Sequence, residues 1–393
     1  MKANPGGHID PQEVIGRDEI IDRIWDTLER QSIRMNAERR IGKTTIINKL
    51  KFEPRSGWAP IFQDLEQYHT APEFVMAVFR AVERFLSLRQ RTAGHAKALL
   101  ATLGGTEVRG VVKLPARIDL PWKEILSSTV HDLVEERGKQ AERTLFLWDE
   151  VPFMLANIKD REGEPVAMEV LDALRGLRQT YGGRGLRMVL TGSIGLHHVI
   201  TALKRRNYAN APLNDTFPVE VPPLDIAAAR ELAIRLIEGE NIHTESRRQT
   251  AGAIAEAADR FPFYIHHIVK ALKQSGMDGT PDSVEQVVSA HLVDASDPWE
   301  LNHYRERIPV YYGQGSEQAV LGILDATAVR SEATTVDDLL AELKGTGTLD
   351  DRERLIDLLR LIEQDHYLAR DAGGRLRFKF PLLQRWWKLA RSL

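Results

Sequence analysis

Asn36-Ala37-Glu38-Arg39-Arg40-Ile41-Gly42-Lys43-Thr44-Thr45 is the stretch that decides the fold. From Ala37 to Thr44 it fits the phosphate-binding pattern G-x-x-x-x-G-K-[ST], with Ala37 in place of the first glycine. Such a loop wraps backbone N–H groups around a β-phosphate, while its lysine reaches the β/γ oxygens. The hydroxyl residue ligates Mg²⁺, and the helix that follows points its positive end at the anion. Gly42 stands where a side chain would block close backbone approach. The first glycine serves the turn, so Ala37 costs something only if that residue must hold a positive φ.

The flanking sequence supplies the order this chemistry needs. Residues 32–36 (S-I-R-M-N) read as a short strand entering the loop, though Arg34 makes it less apolar than most. Residues 45–51 read as a helix with apolar positions at Ile46, Ile47 and Leu50. About a hundred residues on, Thr144-Leu145-Phe146-Leu147-Trp148-Asp149-Glu150 is an apolar run ending in two carboxylates. A buried parallel strand delivers its last residues to the carboxyl edge of a sheet. There Asp149 would hold Mg²⁺ and Glu150 would polarise the attacking water. Arg187-Met188-Val189-Leu190-Thr191-Gly192-Ser193 ends in small polar residues, so Thr191 or Ser193 would sense a γ-phosphate or orient water. The competing reading is a plain strand-to-loop turn.

A length of 393 residues implies two or three domains. With 43% hydrophobic and 28% charged residues, disorder is not expected beyond the first dozen positions. The net charge of −3 gives no global case for nucleic acid or an acidic membrane. The absence of cysteine excludes disulfides, thiolate zinc sites and cysteine nucleophiles, and fits a reducing cytoplasm. No apolar h-region and no run of membrane-spanning length is found, so a cytoplasmic protein is expected.

Residues 1–12 read as a flexible tail, and 13–222 as an α/β nucleotide domain. Its first helix would run from Ile15 to Gln31, with Asp18 as N-cap. Strands are expected near 59–65, 144–149, 187–192 and 217–221, with helices at 72–90, 122–137 and 165–180. A β-like insertion falls at about 105–115. Five strands alternating with helices argue for a parallel sheet sandwiched by helices. Pro222-Pro223 opens an alanine-rich helical lid over 223–300, with a helix starting at Pro262. Residues 301–393 follow the winged-helix order. Helices at 316–328, 335–343 and 351–365 precede two short strands joined by Asp371-Ala372-Gly373-Gly374, then a closing helix from Pro381.

With these pieces in place, the chain resembles the archaeal-type AAA ATPases of the STAND group of P-loop NTPases. The resemblance rests on Gly16-Arg17-Asp18-Glu19, on Arg39-Arg40-Ile41-Gly42-Lys43-Thr44-Thr45, on Leu147-Trp148-Asp149-Glu150 and on Thr191-Gly192-Ser193. Arg260-Phe261-Pro262-Phe263 and Phe378-Lys379-Phe380-Pro381-Leu382-Leu383 complete it. It covers nearly the whole chain from about residue 13. It implies an ATPase domain, a helical lid and a winged helix, with ATP and Mg²⁺ as cofactors. Gly16, Arg17 and Pro262 would lie near the adenine, and Ser193 would act at the γ-phosphate. Two departures stand out: Ala37 in the loop, and Arg260 where a glycine two residues before the proline is usual.

The resemblance implies a switch in which ATP binding closes the lid and slow hydrolysis resets it. Neither a repeat sensor nor an effector domain is visible, so the output partner is expected to be another polypeptide, with a homo-oligomer on ATP binding as a further expectation. The alternative is a DNA-binding initiator or helicase loader. In 350–365, the segment that would enter the major groove, six acids (Asp350, Asp351, Glu353, Asp357, Glu363, Asp365) face three bases (Arg352, Arg354, Arg360). Phosphate neutralisation needs the opposite balance. The wing and closing helix are basic (Arg370, Arg375, Arg377, Lys379, Arg385, Lys388, Arg391), which keeps backbone contact open. A third class is a scaffold that binds nucleotide and barely hydrolyses it. GTP is disfavoured because Asn48-Lys49-Leu50-Lys51 lacks the aspartate of the guanine motif. Lys204-Arg205-Arg206 reads as an arginine finger or, more simply, a surface basic cluster.

Overall fold

The computed structural model describes residues 1–7, 9–86, 94–102, 106–108, 111–113, 120–192, 198–200, 211–312 and 315–393. Ser193, His197 and the Lys204-Arg205-Arg206 cluster lie outside the described residues. The chain divides into two compact units. A sheet unit comprises 18–37 and 43–221; a helical unit comprises 1–17, 38–42 and 222–393.

The sheet unit is built on β1 (Ser32–Asn36), β2 (Trp58–Asp64), β5 (Arg143–Asp149), β6 (Leu186–Gly192) and β7 (Thr216–Glu220). They form one sheet in the order β2–β5–β6–β1–β7. Every neighbouring pair is parallel. Burial explains why β5 reads as an unbroken apolar run: every residue from Thr144 to Asp149 is buried, as a strand covered on two faces requires. Arg34, the odd residue in β1, donates to the carbonyls of Leu213 (2.9 Å) and Thr216 (3.3 Å). It ties the crossover to the edge strand. The insertion is a small antiparallel pair, β3 (Thr106–Val108) with β4 (Val111–Lys113).

Helices α1 (Asp18–Leu28), α2 (Lys43–Phe52), α3 (Ala71–Glu83), α4 (His95–Thr102), α5 (Trp122–Lys139), α6 (Val151–Glu162) and α7 (Glu164–Tyr181) complete this unit. Phe74 of α3 meets Trp148 of β5 edge-on, ring centroids 5.5 Å apart. The Trp148 indole N–H donates to Gln63 at 2.9 Å, so the buried polar edge is satisfied. Two expectations are corrected here. Asp18 is the first residue of α1 rather than its cap, an acid in the positively polarised first turn. The helix expected over 72–90 ends at Glu83. The segment after Asp149-Glu150, to which the sequence assigned no element, is the helix α6, with Pro152 tolerated in its first turn.

The helical unit continues with α8 (Ile226–Gly239), α9 (Arg247–Ala257), α10 (Pro262–Ser275), α11 (Pro281–Leu292), α12 (His303–Tyr312), α13 (Glu317–Ala328), α14 (Val336–Gly345) and α15 (Arg352–Gln364). The antiparallel hairpin of β8 (Leu368–Arg370) and β9 (Leu376–Phe378) precedes α16 (Pro381–Arg391). Caps written in the sequence set several starts: Asp225, Ser246, Thr335 and Asp351 accept N–H groups of the first turn. Thr280 and Ser283 form a reciprocal capping box. Trp386 and Trp387 are buried, and the Trp387 indole donates to Asp325 at 2.8 Å. The first residues, expected as a loose tail, are bonded within this unit: Ala3 N–H donates to Glu240 (2.8 Å) and Asn4 N–H to His266 Nδ1 (3.1 Å). Among the described residues no helix is long and apolar enough to cross a membrane.

Candidate functional site

The carboxyl ends of β1, β5 and β6 lie side by side in the sheet, with Met35 opposite Thr191 and Trp148 opposite Leu190. This is the edge at which open α/β sheets collect ligands. Asp149 ends β5 and is almost fully buried. Its carboxylate accepts the Thr191 hydroxyl, the Thr44 hydroxyl at 3.1 Å and the Glu150 N–H at 3.0 Å. Thr44 and Asp149, named separately from the sequence as metal-holding residues, are therefore in direct contact. Thr191 is committed to Asp149, so its hydroxyl orients that carboxylate.

Lys43 opens α2, and its Nζ donates to the Ala37 carbonyl at 3.2 Å. The ammonium thus lies against the Ala37 carbonyl at the N-terminus of α2, and a helix N-terminus suits an anion. Thr44 is exposed and Thr45 half-buried behind it. Glu150 sits directly after the strand with φ 53° and ψ 37°, a left-handed conformation held by a non-glycine residue. Such strain concentrates where a side chain must be aimed. Gly192 has a packing cause: an added Cβ would come within 2.3 Å of the Pro152 ring.

The loop residues 38–42 belong to the helical unit. Ala37 is not among the residues with positive φ; Arg40 (φ 67°) and Gly42 (φ 99°) are. The left-handed turn of this loop therefore lies at Arg40 and Gly42, and alanine at position 37 carries no backbone penalty. A Cβ built on Gly42 would meet nothing within 4 Å, so the space before its backbone is open.

Within the helical unit the other candidates are held as follows. Arg17 is buried and donates to the carbonyls of Ile41 and Pro222, each at 2.7 Å. Burial lowers its pKa to about 10, partly offset by Asp225. Gly16 has φ 67°, and a Cβ there would strike Ala228 at 2.3 Å. Gly16 and Arg17 thus fasten the loop and the start of α8. Arg39 and Arg40 pair with Glu300, Arg39 at 3.2 Å. The Arg40 hydrogen bond holds the Glu300 carboxyl below the usual range despite its partial burial, with Arg39 adding to the effect. The Arg40 guanidinium also lies 4.5 Å from the Phe263 ring centroid, beside Pro262 at the start of α10.

Two residues that sequence reading passed over join this constellation. Glu38 is buried and faces Arg307 of α12 at 3.5 Å. Arg307 also donates to Tyr367 (2.6 Å) and to the Asp365 carbonyl (2.8 Å). Burial opposes its charge, but Tyr367, Glu38 and Asp365 together raise its pKa above the ordinary arginine value. Arg260, where a glycine was expected, has φ 63°, and Asp259 before it φ 48°. The left-handed corner is present although the glycine is not.

Among solved structures the chain is similar to the Walker-type ATPase PABY2304 of Pyrococcus abyssi. The TM-score is 0.66 at 15% identity, over 96% of this chain and 97% of that one. It is also similar to the Aeropyrum pernix ORC2 protein, described in ADPNP–ADP complexes, with a TM-score of 0.56 at 13% identity over 98% and 95% of the two chains. At these identities the likeness shows a fold: the parallel sheet of P-loop ATPases, followed by helical segments. No family model matches the chain, and no curated protein matches it.

Proposed function

We propose that the chain is an ATP-binding, Mg²⁺-dependent switch ATPase of the STAND/AAA type, whose output passes to a separate partner protein. The observation that carries this reading is the Thr44–Asp149 contact of 3.1 Å at the carboxyl edge of the sheet. A hydroxyl and a carboxylate this close offer the hard oxygen donors that Mg²⁺ takes, leaving its other positions to phosphate oxygens and water. Bound there, the ion would neutralise charge on the β/γ-phosphates. Lys43 would meet the phosphate oxygens, and the N–H groups of 39–45 would line the anion. Glu150, at the strained corner after β5, would orient the attacking water and accept its proton. Ser193 is proposed at the γ-phosphate, and Gly16, Arg17 and Pro262 around the base, from the family resemblance alone. Residues 301–393 are proposed to be a winged-helix domain, on the helices–hairpin–helix order.

The switch is supported by the wiring of 38–42 in the helical unit. Arg39 and Arg40 are held by Glu300, and Glu38 by Arg307. Arg39 and Arg40 lie in the stretch proposed to receive phosphate, and a ligand that changed their pairing with Glu300 would have differential contacts in two states, the requirement for any ligand-driven switch.

The second reading is a DNA-binding initiator, favoured by the basic hairpin and closing helix. Several of those bases already have acidic partners: Arg370 with Glu363 (2.7 Å), Arg385 with Glu285 (2.6 Å) and Arg391 with Asp325 (2.7 Å). Fewer charges are left to neutralise phosphates. The deciding experiment is recovery of Glu150→Gln from its native host with and without Mg-ATP. ATP-dependent recovery of a protein without nucleic acid supports the switch. Recovery of DNA that a modest rise in salt removes supports the initiator.

A further inference from the structure

A groove of about 990 Å³ opens in the helical unit, far along the chain from the phosphate-loop residues. Its walls come from the 256–260 corner, the 330–333 connection and the stretch 375–381. Four arginines line it, Arg260, Arg330, Arg375 and Arg377, interleaved with Glu256, Asp259, Glu332 and Asp371. Arg260, Arg375 and Arg377 are exposed, and none of these three makes a side-chain hydrogen bond or ion pair among the described residues. Nearby bases differ: Arg330, also in the wall, is bonded to Glu342 at 2.7 Å. A set of unpaired arginines around a concavity calls for an anionic partner.

The groove also exposes the open edge of a strand. Asp371 N–H bonds the Arg375 carbonyl, and Lys379 N–H bonds the Tyr367 carbonyl, each at 2.9 Å. By the alternation of an antiparallel ladder, the main-chain groups of 375, 377 and 379 face β8, and those of Leu376 and Phe378 face away. Leu376 spends its N–H and C=O on Thr334, at 2.7 and 2.8 Å. That pairing is a single isolated bridge. Phe378, one step further, therefore turns its N–H and C=O to an edge with no strand beside it among the described residues. Edges of this kind accept an added strand.

We propose that this groove docks an extended, acidic peptide segment of a partner protein, which pairs with β9 at Phe378 and sets carboxylates against Arg375, Arg377 and Arg260. Arg375 and Arg377 lie two residues apart and so share one face of the strand. On an added strand, alternate side chains would meet this face, and those between would rest on Ile226 and Phe380 in the groove wall. The preferred segment thus alternates acidic and apolar residues. A peptide is favoured over nucleic acid because a strand edge is complemented by main-chain amides, which only a polypeptide brings. The proposal deepens the switch reading by giving the partner a docking surface, yet it needs no nucleotide and can stand or fall alone.

The test uses the full chain and a fluorescein-labelled ten-residue peptide of alternating glutamate and valine, followed by anisotropy at low salt. Saturable binding is expected, weakened at least tenfold in Arg375→Ala/Arg377→Ala, with slowed hydrogen exchange at the Phe378 amide. The same affinity in Lys43→Ala would separate docking from nucleotide binding, so a failed switch leaves the docking result readable. Absence of saturable binding, or equal affinity in the double variant, overturns the proposal. So does equal affinity of a peptide N-methylated at alternate amides, since strand pairing would then be absent. Tighter binding of a 20-base-pair duplex through the same arginines would replace the peptide with nucleic acid.

Discussion

Arg307 Nη1 lies 3.5 Å from Glu38 Oε1, and the two side chains are almost fully buried. A residue of the 38–42 loop is thereby tied to α12, and through Tyr367 and the Asp365 carbonyl to the end of α15 and the start of the hairpin. A buried charge left without its partner is costly. Arg307→Ala is expected to lose about 3–5 kcal/mol of unfolding free energy by urea denaturation. Glu38→Ala/Arg307→Ala should lose less than the sum of the single variants, because each single leaves one buried charge exposed to the loss.

Glu150 should separate binding from turnover. In Glu150→Gln, Mg-ATP affinity by calorimetry should stay near that of the parent while phosphate release falls by about 10²-fold or more. Turnover at the parent rate would remove Glu150 from its proposed role.

Ala37 is the departure that most invites repair, and the backbone argues that repair is unnecessary. Because the left-handed residues are Arg40 and Gly42, Ala37→Gly should change ATP affinity by no more than about twofold. A large gain in affinity would mean that position 37 needs a glycine after all.

Gly192 is fixed by contact. With a Cβ 2.3 Å from Pro152, Gly192→Ala must displace the start of α6 and is expected to cost about 1–3 kcal/mol in thermal or urea unfolding. Activity should fall with it, since Glu150 directly precedes the same helix.

Acid should weaken the helical unit. Burial lowers the His266 pKa to about 4, and His266 Nδ1 accepts the Asn4 N–H. An unfolded histidine titrates near 6.5. The folded-state value is depressed, so the neutral imidazole's contribution is complete above about pH 6.5 and is lost as pH falls toward 4. His303, also lowered to about 4 mainly by burial, acts in the same direction. Asp259, whose carboxyl burial pushes up to about 7, acts in the opposite direction. The histidine share is therefore read as the difference in unfolding slope between the parent and His266→Gln from pH 7.5 to 5, the variant having the flatter loss.

The parallel sheet was legible because its chemistry is local. The strand 32–36, the loop and the apolar run into Asp149 each carry their own pattern, and the structure keeps their bounds within a residue. Of the helices that the sequence did not announce, two were hidden for local reasons as well. Pro152 directly after two carboxylates reads as a turn, although a proline fits a first helical turn. Pro309 inside α12 breaks the helical pattern. Within the site, Thr44 and Asp149 could be paired from spacing because both belong to known elements of one motif. Glu38 and Arg307 could not: they are 269 positions apart, and neither stands at a motif position that demands a charge. The left-handed backbone at Arg40, Glu150 and Arg260 was equally invisible, since no glycine marks it.

The central claim, that the chain binds ATP through this loop, is tested most directly by isothermal titration of Mg-ATP into the parent protein and Lys43→Ala. The account predicts saturable, Mg²⁺-dependent binding to the parent and none to Lys43→Ala, with the fold of the variant retained by circular dichroism. A parent protein that does not bind, or a Lys43→Ala protein that binds equally well, would contradict it.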